Sequence, residues 1–87
     1  APQEGQRFSE TRTRRVFKDN VQSCDFSENI VVVRTAPGAA GTVASALDAS
    51  AWSEVIGTIA GDDHIFVLIR PKEAAADIVA RIQKLMR

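Results

Sequence analysis

Two apolar runs of β-forming residues, Glu54 to Ala60 and His64 to Arg70, meet at Gly61-Asp62-Asp63. Gly takes unusual turn conformations without a Cβ clash, and Asp settles in tight turns by bonding its own nearby backbone. The stretch therefore predicts a β-hairpin whose tip carries two adjacent carboxylates. Adjacent negative charges repel, and one of them tends to take up a proton unless a cation lies beside them. The partner chemistry left open is a metal ion, a Lys or Arg from a neighbouring subunit, or a small cationic ligand. A guanidinium suits the geometry because its N–H fork matches carboxylate oxygens in parallel pairs. The bland alternative is that Asp62 and Asp63 are solvated turn residues.

The remainder of the chain repeats one theme. Asn20 to Phe26 predicts an edge strand, Ser27-Glu28-Asn29 a turn, and Ile30 to Thr35 a β-branched central strand. Ala36-Pro37-Gly38 ends that strand, since proline pushes the preceding residue out of the helical region. Ala39 to Ala49 predicts a small-residue helix with Ala40, Val43, Ala44 and Leu47 on its apolar stripe and Gly41, Ser45 and Asp48 opposite. Asp48 lies in the last helical turn, where the helix dipole disfavours negative charge, so another partner is expected for it. It reads either as a solvated carboxylate or as a third one aimed at the same cation as the turn. Pro71 closes the last strand and leads into a helix from Lys72 to Met86, with Ala75, Ile78, Val79, Ile82 and Met86 inward and Asp77 paired to Arg81. The order ββαββα predicts an α+β two-layer sandwich: a four-stranded antiparallel sheet with two helices on one face, its far face open to other subunits.

With 87 residues the chain holds at most one domain, and a domain of that size is commonly reinforced by oligomerisation. No apolar run approaches the roughly 18 residues of a membrane span, and no secretory signal is recognisable. Cys24 is the single cysteine, which suits a reducing cytoplasm and a small core residue; His64, the single histidine, lacks partners for a zinc site. Trp52 is expected in the core, although an interface or a ligand wall would also suit it. Arg7, Arg12, Arg14, Arg15 and Lys18 outweigh Glu4 and Glu10 near the start, and the rest is acidic in compensation. An acidic body is a poor binder of nucleic acid, so any DNA contact is expected from another domain. Residues 1–14 read as a linker, and 15–87 as the folded domain. Across that boundary, Thr11 to Asp19 is expected to form a short helix with Val16 and Phe17 inward. Ala1 stands without an initiator methionine before it, as expected of a fragment of a longer protein or of a chain that has lost that residue.

Thr35-Ala36-Pro37-Gly38-Ala39-Ala40, Asp48 after it, Trp52, and above all Gly57-Thr58-Ile59-Ala60-Gly61-Asp62-Asp63-His64-Ile65-Phe66 resemble the C-terminal domain of the bacterial arginine repressor family. The resemblance spans residues 15 to 87. It implies a domain that forms trimers, stacks them into a hexamer and binds L-arginine as corepressor between trimers, without a metal. It also implies that operator DNA is met by an N-terminal winged-helix domain absent from this sequence. Carried over by position, Asp62 and Asp63 hold the guanidinium, one of them from the facing trimer; Asp48 meets the polar α-end; Thr58 and Ala60 offer backbone contacts. Gly41 stands where the family commonly has Gln, which removes a polar contact to the ligand, and His64 replaces the more usual Thr.

Two other functions remain compatible with the residues. One is a small enzyme using Asp62, Asp63 and His64 for acid-base or metal chemistry, although no nucleophile, base and orienting group form a set. The other is a structural oligomerisation domain with a decayed pocket, as Gly41 would permit.

Overall fold

The computed structural model describes residues 10–87. The first nine residues of the expected linker lie outside the described residues, and residues 10–14 belong to a helix. The elements are α1 (Glu10–Asn20), β1 (Val21–Ser27), β2 (Ile30–Thr35), α2 (Ala40–Ser50), β3 (Val55–Ala60), β4 (His64–Ile69) and α3 (Ala75–Met86). The final helix begins later than the sequence predicts, because Lys72–Ala74 after Pro71 form a separate 3₁₀ turn.

One antiparallel sheet orders the strands β1-β2-β4-β3. The two β-branched and aliphatic strands, β2 and β4, therefore occupy its centre, paired from Ile30 opposite Leu68 to Arg34 opposite His64. Alternation decides which face is covered. Val31, Val33, Ile65, Val67 and Ile69 are buried under the helices, whereas Phe66 and Leu68 point to the other side. Both outer strands lose register once, between Val21 and Ser23 in β1 and between Val55 and Gly57 in β3.

All three helices contribute to the one core. The predicted stripe of α2 is buried, with Ala46 beside it, while Gly41, Ser45 and Asp48 are exposed. From α3, Ala75, Ile78 and Ile82 are buried, and Val79 and Met86 pack against them in part. Helix α2 lies over β3, α3 lies over β1, and α1 touches both α2 and α3. Helix α1 is thus a third member of the helical layer, added to the two of the ββαββα unit. Its Phe17 is fully buried, which explains how a helix of mostly polar residues is held: tertiary packing, rather than its own propensity, stabilises it.

Cys24 is half-buried against the core, its Sγ 3.8 Å from the Val79 carbonyl, and burial followed by the neighbouring Asp25 charge pushes its thiol pKa up. No helix among the described residues is long and apolar enough to cross a membrane.

Phe17 gives a direct measure of α1's part in the fold. Truncating a buried aromatic removes its transfer energy and leaves a cavity, so Phe17→Ala is expected to cost about 3–5 kcal/mol in urea denaturation. A loss below roughly 1 kcal/mol would show α1 to be an appendage.

Candidate functional site

The two sequence stretches richest in turn residues are joined in space. The Thr35 N–H donates to the Asp63 carbonyl at 2.8 Å, and the Ala40 N–H to the Asp62 carbonyl at 3.1 Å. Gly38, at φ 80°, turns its N–H toward Asp62 Oδ2 at 3.2 Å. A positive φ is reached without strain only by glycine, so the Pro37-Gly38 element is what lets the loop approach this carboxylate. The hairpin tip closes with the Gly61 N–H donating to the His64 carbonyl at 2.8 Å.

Each of the three acidic residues singled out by the sequence is held through one oxygen. Asp62 is exposed and accepts from Gly38. Asp63 Oδ1 lies 2.8 Å from His64 Nδ1. Asp48 Oδ1 accepts from the Thr58 hydroxyl at 3.0 Å, which supplies the local partner that its position at the C-terminal end of α2 calls for. Among the described residues the second oxygens of Asp48 and Asp62 have no hydrogen bond, while Asp63 also has a backbone hydrogen bond within its own residue. A carboxylate fixed by one oxygen and open at the other is oriented in advance for a cation, which lowers the ordering cost of binding.

The hydrogen bond from His64, then its charge and that of Arg34, hold the Asp63 carboxyl below the usual carboxylate range. The turn's two carboxylates thus already have a basic partner in the chain itself. Asp48 is not beside them. It lies eight residues along α2 from Ala40, where Asp62 is bonded, about 12 Å of helix rise. Asp48 therefore does not aim at the same point as the turn within one chain; the arrangement suits a ligand charged at both ends, or carboxylates drawn from more than one copy. Thr58 stands in β3 opposite Val67, and Ala60 ends the strand opposite Ile65. Gly41 is exposed on α2, where an added Cβ would meet nothing within 4 Å.

The sequence missed two contacts made across the chain. Arg81 does not serve Asp77. It donates from both terminal nitrogens to Glu54, at 3.3 and 3.0 Å, and lies 5.1 Å from the Trp52 ring centroid. Nothing in local spacing announces this pair, since Glu54, in the turn before β3, and Arg81, in α3, are 27 residues apart and meet only in the folded chain. Trp52 is half-buried, forming a shelf between core and surface rather than a fully enclosed core residue. Among the described residues no group of three His, Cys, Asp or Glu side chains is placed to hold a metal ion.

The architecture is that of an α+β sandwich domain with carboxylates held at the hairpin tip and at the helix end. Comparison with known proteins makes this specific. Residues 17–84 match the family described as arginine repressor, C-terminal domain. The chain is 50% identical over 76 residues to an arginine repressor of Pelotomaculum thermopropionicum, covering 87% of this chain and 50% of that protein. It is 51% identical over 74 residues to the arginine repressor of Moorella thermoacetica, covering 85% and 49%. With that of Syntrophomonas wolfei the identity is 45% over 82 residues, covering 94% and 54%. The chain belongs to the arginine repressor C-terminal domain family. It spans about half the length of the curated relatives it matches.

The Glu54–Arg81 pair gives the site's surroundings a pH signature. The Arg81 hydrogen bond, with a smaller backbone contribution, lowers the Glu54 pKa from its ordinary value of 4.5. A carboxyl lowered by folding stabilises the native state above its unfolded pKa, and that stabilisation is lost as pH falls through the folded value. The melting-temperature advantage of wild type over Glu54→Gln is therefore expected to be greatest above about pH 5 and to shrink toward pH 3. An advantage that stays constant across this range in thermal melts would exclude the assignment.

Proposed function

We propose that this chain is the effector-sensing and oligomerisation part of a cytoplasmic arginine-responsive transcriptional regulator, with L-arginine as corepressor and no catalytic role. The observation that carries the proposal is the set of three carboxylates, each anchored within the chain, in a member of the arginine repressor family. Asp62 and Asp63 take the guanidinium, Asp48 takes the α-end, and the backbone at Thr58 and Ala60 lines the approach. The roughly 12 Å between Asp48 and the turn is spanned by the length of the ligand and by drawing one of the two turn carboxylates from the facing trimer.

Self-association uses the uncovered sheet face. Ile59 is 77% exposed and Phe66 57%, with Leu68 beside them, an apolar surface of the kind that marks an interface on a small domain. Copies assemble as trimers and as a hexamer of two trimers. Arginine acts by neutralising carboxylates that would repel across the trimer-trimer contact, and its differential affinity for the assembled state makes the contact a switch. Operator DNA is bound by a winged-helix domain outside this chain, reached through a linker ahead of the domain of residues 15–87.

Calorimetry and thermal melts test this reading. L-arginine at about 100 times its Kd is expected to stabilise the wild-type chain by about 2.7 kcal/mol. Asp62→Ala with Asp63→Ala should lose both the binding heat and the arginine-dependent assembly seen by light scattering. Unchanged arginine affinity in that double variant would remove the site.

Gly41 favours a distinct outcome if the pocket has decayed. Gly41→Gln replaces a poor helix former in open space, so it is expected to stabilise α2 by about 0.5–1 kcal/mol. In a working pocket the variant also tightens arginine binding in calorimetry, whereas a purely structural domain gains the stability alone.

A further inference from the structure

The Asp63–His64 contact is not explained by the fold. Both side chains are roughly half exposed, 44% and 47%, and the hairpin is already closed by backbone bonds. A carboxylate only accepts hydrogen bonds, so the hydrogen in the 2.8 Å contact sits on His64 Nδ1. The imidazole therefore occupies Asp63 Oδ1, one of the two oxygens that a guanidinium needs for a parallel, two-bond pairing.

We propose that His64 is a built-in competitor for the ligand cation and thereby sets the affinity of this site for arginine. The proposal rests on the arginine-binding reading above. When neutral, the imidazole gives up Oδ1 at the cost of one hydrogen bond. When protonated, it is itself a cation on Asp63, and a guanidinium arriving there must displace it or endure its repulsion. Protonation of the imidazole and a guanidinium on Asp63 then oppose one another, so arginine binding to the protonated form drives that proton to solvent.

The charged groups around the imidazole leave this competition intact. Asp63 and Asp62 flank it on its own turn, and Arg34 of β2 is its cross-strand partner. Strand β3 brings only Ile59 and Ala60 to this end, neither of them titratable. Arg34 is a fixed positive charge in this range, so it neither creates nor cancels a pH response.

The test uses the whole chain, with calorimetric titration of L-arginine at about pH 8 and about pH 5.5, a span across which histidine changes charge. Wild-type affinity is expected to be lower at the lower pH. The binding heat at the lower pH should vary with the ionisation enthalpy of the buffer, as proton release requires. His64→Ala should bind with little pH dependence and more tightly than wild type at the lower pH. His64→Asn, which keeps a neutral N–H donor, should also lose the pH dependence, separating charge from hydrogen bonding. A wild type whose affinity is flat with pH, or variants that keep its slope, would overturn the role of His64 while leaving the arginine site standing. A wild type that shows no arginine binding at either pH would overturn the site itself, and this role with it.

Discussion

The structure depends on the backbone bonds that fasten the Gly61-Asp62-Asp63 turn to the loop between β2 and α2. Through Thr35, Gly38 and Ala40, three N–H groups of that loop are satisfied by the turn's own carbonyl and carboxylate oxygens. Near the start of a helix such donors have no partner within the helix and must find one elsewhere. Here one set of bonds joins the turn to the start of α2, ties the end of β4's hairpin to β2, and fixes the Asp62 side chain.

Much of this was legible because the signals are local. The β-branched run at Ile30–Val33, the alternation in Ile65, Val67 and Ile69, and the Ala40-Val43-Ala44-Leu47 stripe each obey a period set by backbone geometry. The turn residues obey local rules as well. What the sequence concealed is whatever depends on distant segments meeting. The sequence predicts helix α1 and its inward Phe17, but not that α1 packs against both α2 and α3. Arg81 meets the distant Glu54 rather than the nearby Asp77: the turn just before β3 presents the Glu54 carboxylate in two-bond geometry while the guanidinium lies over the Trp52 ring. The carboxylates were identifiable as residues, but not their spacing: Asp48 and the turn lie toward opposite ends of α2.

The distribution of polar contacts also separates support from chemistry. Buried side-chain polar atoms among the described residues all have partners, so the interior carries no unresolved polar demand. The carboxylates of Asp48, Asp62 and Asp63 are instead tied at the surface, to Thr58, Gly38 and His64 in turn.

The register breaks in β1 and β3 bear on how copies of such a domain meet. Both strands are margins of the sheet, and each carries a bulge that twists its ladder away from regular pairing. Adding a neighbour's strand to either margin would begin on a distorted template, so growth into an open-ended ribbon is disfavoured.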